Sequence, residues 1–114
     1  MANPHRGEIE AVIGDTPRRL CLTLGALAEL EDALGAGDLV ALASRFESGR
    51  LGARDVLAIL ACGLRGGGEA VSNADVAAMR FPGGLPDAVR IAADLVAATF
   101  GAGEPAANPP PPQG

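Results

Sequence analysis

The chain has 114 residues, a length that suits one domain and buries roughly two-thirds of the unfolded surface, enough for one modest core without disulfides or metals. Its net charge is −5 and its nine basic residues are all Arg, so it lacks the clustered basic face that nonspecific binding to nucleic acid or to an anionic membrane requires. Residues are 48% hydrophobic but only 3% aromatic, without Trp or Tyr. The core must therefore be built from Leu, Val, Ile and Ala, each Ala burying little area, and an association surface, including a homo-oligomer, is expected to supply what such a core lacks.

Met1–Gly7 reads as a loose lead-in. Glu8–Ile13 alternates, with Ile9, Ala11 and Ile13 on one face and Glu8 and Glu10 on the other, the period-2 pattern of a half-buried strand. Gly14-Asp15-Thr16-Pro17 is rich in turn formers. Alternation resumes over Arg18–Leu24, placing Leu20, Leu22 and Leu24 on one face and Arg19, Cys21 and Thr23 on the other. The two strands predict a β-hairpin. A lone hairpin is marginal in water, so its Leu face calls for helical cover.

At Leu22–Glu31 the period changes from two to three or four, and a strand runs into a helix. The other helices are expected to find their places around this junction. Thr23 is a candidate N-cap, Leu27, Leu30 and Leu34 form the inward stripe, and Gly35 is the stop. A second helix is expected from Asp38 to about Ser48, with Leu39, Leu42, Ala43 and Phe46 on one face and Gly49 ending it. A third runs from about Ala53 to Leu64, with Val56, Leu57, Leu60, Ala61 and Leu64 as a broad apolar face.

Gly66-Gly67-Gly68 predicts a break and a flexible hinge between helices. Ser72-x-x-Asp75 resembles a capping box and opens a short helix through about Met79. Phe81–Gly84 reads as a loop, and Pro86 suits the first residue of the last helix. Val89, Ala92, Ala93, Val96 and Phe100 are its expected inward face, with Gly101 at its end. Residues 102–114, with the run Pro109–Pro112, predict a disordered tail of polyproline II character. There is no internal repeat. The expected fold class is therefore α+β: an N-terminal hairpin followed by a compact bundle of about five short helices in one domain, residues 1–101.

No constellation in the chain carries catalytic chemistry. Gly63–Glu69 lacks the Lys of a phosphate loop, and its glycines follow a helix instead of opening one. His5, the single histidine, has only Glu8 and Glu10 nearby, which falls short of a zinc set. A Cys–His nucleophilic pair would need His5 to meet Cys21 or Cys62, placed in mid-strand and mid-helix; both cysteines read instead as buried structural thiols. The acidic pairs Glu8/Glu10 and Glu29/Asp32 read as solvated faces. Ion pairs account for Arg54, Arg65, Arg80 and Arg90. The tail prolines could serve a proline-binding domain, but a solubilising or linking terminus is the expectation. We thus expect no catalytic, cofactor-binding or metal-ligating residue and no cofactor. The polar start MANPHRGE suggests no signal peptide, no run approaches the roughly 18 apolar residues of a membrane span, and cytoplasmic synthesis is expected.

Four segments carry a resemblance: Asn3-Pro4-x-Arg6-Gly7-Glu8, Leu22-Thr23-Leu24-Gly25-Ala26-Leu27-Ala28-Glu29-Leu30-Glu31, Gly63-Leu64-Arg65-Gly66-Gly67-Gly68-Glu69 and Ala98-Thr99-Phe100-Gly101. In this order they resemble the gene transfer agent tail protein family of alphaproteobacteria, also described as a phage tail tube or tail assembly chaperone family. The Arg-only, Ala-, Gly- and Pro-rich composition suits such a GC-rich origin. The resemblance implies a non-enzymatic tail morphogenesis protein, associated with a particle or its assembly. Two strands and about five helices favour a chaperone that binds tape measure or other tail proteins through apolar area left uncovered by the first and third helices. The alternatives are a structural component retained in the tail and a cytoplasmic protein-binding regulator unrelated to particles.

Overall fold

The computed structural model describes residues 7–48 and 51–101. Among them an antiparallel hairpin, β1 (Glu8–Ile13) and β2 (Thr16–Cys21), precedes five helices: α1 (Leu24–Leu34), α2 (Leu39–Glu47), α3 (Ala53–Gly66), α4 (Asn73–Ala77) and α5 (Gly84–Val96). A π-helical turn, Ala97–Gly101, continues α5. This is the α+β architecture expected. The lead-in before Gly7, the helix stop at Gly49 and the tail 102–114 lie outside the described residues.

Register pairs Ile13 with Thr16 and Ile9 with Leu20. The turn is therefore only Gly14-Asp15, tighter than the four residues expected, and Gly14 makes it possible at φ +70°. Thr16 and Pro17 belong to β2, where Pro is tolerated because both strands of a two-stranded sheet are edges. Ile9, Ala11, Ile13 and Leu20 point to the core as alternation predicts. Leu24 does not: it is 78% exposed. Thr23 ends the alternation there, its hydroxyl accepting from the Ala26 N–H at 3.1 Å, so Leu24 is the first helical residue instead of the last strand residue.

The caps follow local chemistry. Gly35, at φ +70°, closes α1 as the Asp32 carbonyl accepts from Gly35 and the Glu31 carbonyl from Ala36. The Asp38 carboxylate accepts from Ala41 N–H at 2.8 Å and starts α2. Ser72 and Asp75 form the reciprocal box at the start of α4, 3.0 and 2.9 Å. Pro86 is the third residue of α5, still inside the first turn where its missing N–H costs nothing.

The centre of the molecule is α3. It packs against α1, β2, α4 and α5, and every residue from Ala58 to Leu64 is buried. The α1 junction expected to organise the fold is one of its neighbours. Burial of its central turns against four elements explains the broad apolar character of α3, whose first residues, Ala53 and Arg54, stay exposed. The glycines at its C-terminal end are not a hinge. A Cβ on Gly66 would stand 1.9 Å from the Cys21 carbonyl oxygen, and one on Gly67 2.1 Å from that of Arg19. They are the surface on which β2 lies directly against the helix. A Cβ on Gly63 would meet Leu95 of α5 at 2.4 Å.

Ion pairs tie the periphery to this centre. Arg65 of α3 reaches Glu29 of α1 at 3.3 Å and the Val71 carbonyl at 2.9 Å, clamping the α3–α4 connection. Arg18 pairs with Glu69 and donates to the Ile13 carbonyl. The tip of the hairpin is held by the Gly14 N–H, which donates to the Arg80 carbonyl at 2.6 Å.

Candidate docking groove

Helix α5 carries two apolar stripes side by side. One, Ala88, Ile91, Ala92 and Leu95, is buried against the core. The other, Val89, Ala93 and Val96, was the expected inward face together with Ala92 and Phe100; instead Val89 and Ala93 are exposed, and only Ala92 points fully inward. Both stripes fit a 3.6-residue period, so periodicity does not choose between them. The choice falls to the side that faces α3, where Gly63 leaves room for Leu95.

The second stripe forms one wall of a groove of about 430 Å³. The opposite wall is α2, which contributes Ala43, Phe46 and Glu47; Leu51 and the π-helical residues Ala97 and Phe100 complete the lining. The groove exists because α2 packs on α1 and stands off from α5. Phe46 and Phe100 meet at 6.3 Å between ring centroids, tilted by 51°, within the range for favourable aromatic pairs. The Thr99 hydroxyl donates to the Leu95 carbonyl at 2.7 Å within the widened π turn that carries Phe100. Of the area expected to stay uncovered on α1 and α3, α1 exposes a large apolar side chain only at Leu24, and Ala53, Val56, Leu57 and Leu60 of α3 line a second, smaller groove with Val76, Phe81 and Leu85.

One ion pair ties α2 to the start of α3. The Arg45 guanidinium donates to the Asp55 carboxylate at 2.9 Å, and Asp55 also accepts from the Gly52 N–H at 3.0 Å, at the start of α3. Asp55 is the single buried charged residue among those described. Burial pushes its pKa up, but the Gly52 N–H and the Arg45 guanidinium outweigh it and hold the carboxyl below its ordinary value. Sequence reading missed Asp55; the only signal was its place three residues after Gly52, the N3 position of a helix start.

The residues weighed for chemistry sit apart from the groove. Cys62 is buried in α3 and Cys21 half-buried at the end of β2. Burial, then Glu8 beside Cys21 and Glu29 beside Cys62, pushes both thiols up, away from nucleophilic thiolate. Glu29 is paired with Arg65, and Glu10 lies directly across the hairpin from Arg19. Arg90 bridges Asp87 at 2.5 Å and Asp94 at 3.1 Å along α5. Among the described residues no cluster of His, Cys, Asp or Glu could hold a metal ion; His5 lies outside them. No described helix is long and apolar enough to cross a membrane. Glu47 is the one titratable group in the groove lining. What the groove can do is bury an apolar surface.

A family model described as phage tail tube protein, GTA-gp10, matches residues 6–102. The chain belongs to this family. The match spans the hairpin, all five helices and the π-helical turn, so the GTA-gp10 family extends over both walls of the groove. No curated protein and no solved structure matches the chain.

Proposed function

We propose that the protein builds the tail of a gene-transfer-agent particle as a non-enzymatic assembly chaperone, holding an apolar helix of another tail protein, the tape measure protein first, in the α2–α5 groove. The groove carries this reading: eight of its nine lining residues are apolar, and it stands open between two helices. Helical partners enter such grooves with side chains spaced i, i+3 or i+4 and i+7. Tape measure proteins are long helices with an apolar face that needs cover until a tube surrounds them. The net charge of −5 keeps such a complex soluble. Residues 1–101 then act as one domain, made in the cytoplasm of an alphaproteobacterial or prophage-bearing host.

The family description favours a second reading, a tube component retained in the particle. Tube rings are built from many-stranded protomers, whereas two strands occur among the described residues here; this supports the chaperone. Quantitative mass spectrometry of purified particles beside the producing lysate separates the two. Abundance in lysate with absence from particles, and loss of tails on deletion, is the expected result. A fixed ratio to other tail proteins inside the particle establishes the structural role and ends the chaperone reading.

A further inference from the structure

The smaller groove lies at the N-terminal end of α5, where Leu85 and Ala88 line it with Leu57 and Leu60 of α3, Val76 of α4 and Phe81. It continues the larger one. Along α5 the outer stripe steps by four residues through Leu85, Val89 and Ala93, and so passes from the smaller groove into the larger. Away from α5, Leu51 lines the larger groove and Ala53, two residues on, the smaller. We propose that the two grooves form one trough, and that the partner helix lies along both and sets an apolar anchor from one end turn into the smaller groove. This rests on the reading of the α2–α5 groove as the partner site and adds the length, anchor and charge of the helix that fits it.

Length follows from the wall. From Phe100 to Leu85 it rises about 22 Å at about 1.5 Å per helical residue, so the trough holds about four turns of a partner helix, one more than the larger groove alone. The smaller groove, about 120 Å³, takes one large side chain and not a helix, which is the form of an anchor pocket. Exposure agrees. Leu85 is 70% exposed and Val89 36%. One exposed leucine is ordinary, but two large apolar side chains one turn apart, each on the wall of a groove, make a continuous apolar surface of the kind that marks an interaction site. The charge of the partner follows from Glu47. It is exposed and is the single charge lining either groove, and it has no ion pair among the described residues. The partner helix therefore carries an Arg or Lys beside its apolar face. A pair so open to water adds little affinity and fixes the register of the helix.

The test is methyl NMR and affinity measurement on the full chain, with a helical tape measure fragment of at least about 15 residues as the probe. The expected result is that the Leu57 and Leu85 methyls shift together with those of Val89 and Val96 while Leu24 stays unmoved. Leu85→Gln should weaken binding about tenfold and leave the melting temperature unchanged, since Leu85 stands in water. Glu47→Arg should weaken it severalfold. Binding that Ala93→Arg abolishes but Leu85→Gln leaves unchanged, with the Leu57 and Leu85 methyls unmoved, overturns the trough and keeps the partner in the larger groove alone. Binding that survives Ala93→Arg overturns both readings, because the partner site is then elsewhere. Leu57 and Leu85 methyls that move with protein concentration in the absence of the fragment put a second copy in the smaller groove and overturn the proposal as well.

Discussion

Gly66 bears the tightest backbone approach in the structure. Its missing side chain lets the Cys21 carbonyl of β2 come within the volume a methyl group would fill. Backbone cannot swing aside as a side chain can, so Gly66→Ala must push α3 and β2 apart. We expect a loss of about 2–3 kcal/mol, read as a drop in the denaturant midpoint. Gly37, exposed and with nothing within 4 Å of where a methyl group would stand, is the control: Gly37→Ala should be neutral or slightly stabilising. A Gly66→Ala variant as stable as Gly37→Ala would show that chain entropy, not the β2 contact, governs Gly66.

Asp55 makes a second prediction at this scale. Asp55→Ala removes both the cap on Gly52 and the partner of Arg45, at a cost of about 1–2 kcal/mol. Because the folded carboxyl is held below its unfolded value of 3.8, its contribution is complete above that pH and is lost as pH falls through the lower folded value. Asp75 and Asp87 are depressed too, the first by its bond from the Ser72 N–H, the second by Arg90. The parent should therefore lose stability in acid below about pH 4, and its advantage over Asp55→Ala should shrink in the same window. An advantage that grows in acid would reverse the sign argued here.

At the scale of elements, α5 shows why a stripe of apolar residues does not name its own partner. Ile91 is 1% exposed and Val89 36%. Ile91→Ala leaves a cavity against α3 and should cost about 2–4 kcal/mol, while Val89→Ala should cost well under 1 kcal/mol. Comparable losses in thermal melts would mean that the groove is closed in solution. The α1 start works the other way: Thr23, Leu24 and Ala26 are close in sequence, and the cap was legible from residue types alone. Thr23→Ala should cost about 1 kcal/mol. Legibility thus follows range. The Gly35 stop, the Asp38 start and the Ser72–Asp75 box each need only the next few residues. The contacts of Gly63 with Leu95, Gly66 with Cys21 and Gly67 with Arg19 join positions far apart in the chain, and the composition of that run suggested a hinge.

At the scale of the whole molecule, the groove and the core lie on different stripes of α5 and share Phe46. The core runs from the hairpin through α3 to the inner stripe of α5, while the groove lies on the outer stripe. Ala93 is exposed there, so Ala93→Arg should leave the melting temperature within about 2–4 °C, the shift of a small stability change, and abolish binding of a tape measure fragment. That binding should persist at moderate salt, since an apolar groove makes no screened contact. Binding lost at moderate salt, with the fold intact, would point to the acidic surface instead.

Sequence by itself determined the hairpin, the five helices, most of their caps and the tail-protein family, because each of these depends on neighbours a few residues apart or on ordered blocks of residue types. Tertiary structure alone decided that α3 is the centre, that its glycines seat β2, that Asp55 is buried beside Arg45, and which stripe of α5 faces inward. The reason is common to all four. A side chain's environment is set by elements distant in sequence, and two stripes of equal periodicity differ only in what happens to stand opposite them.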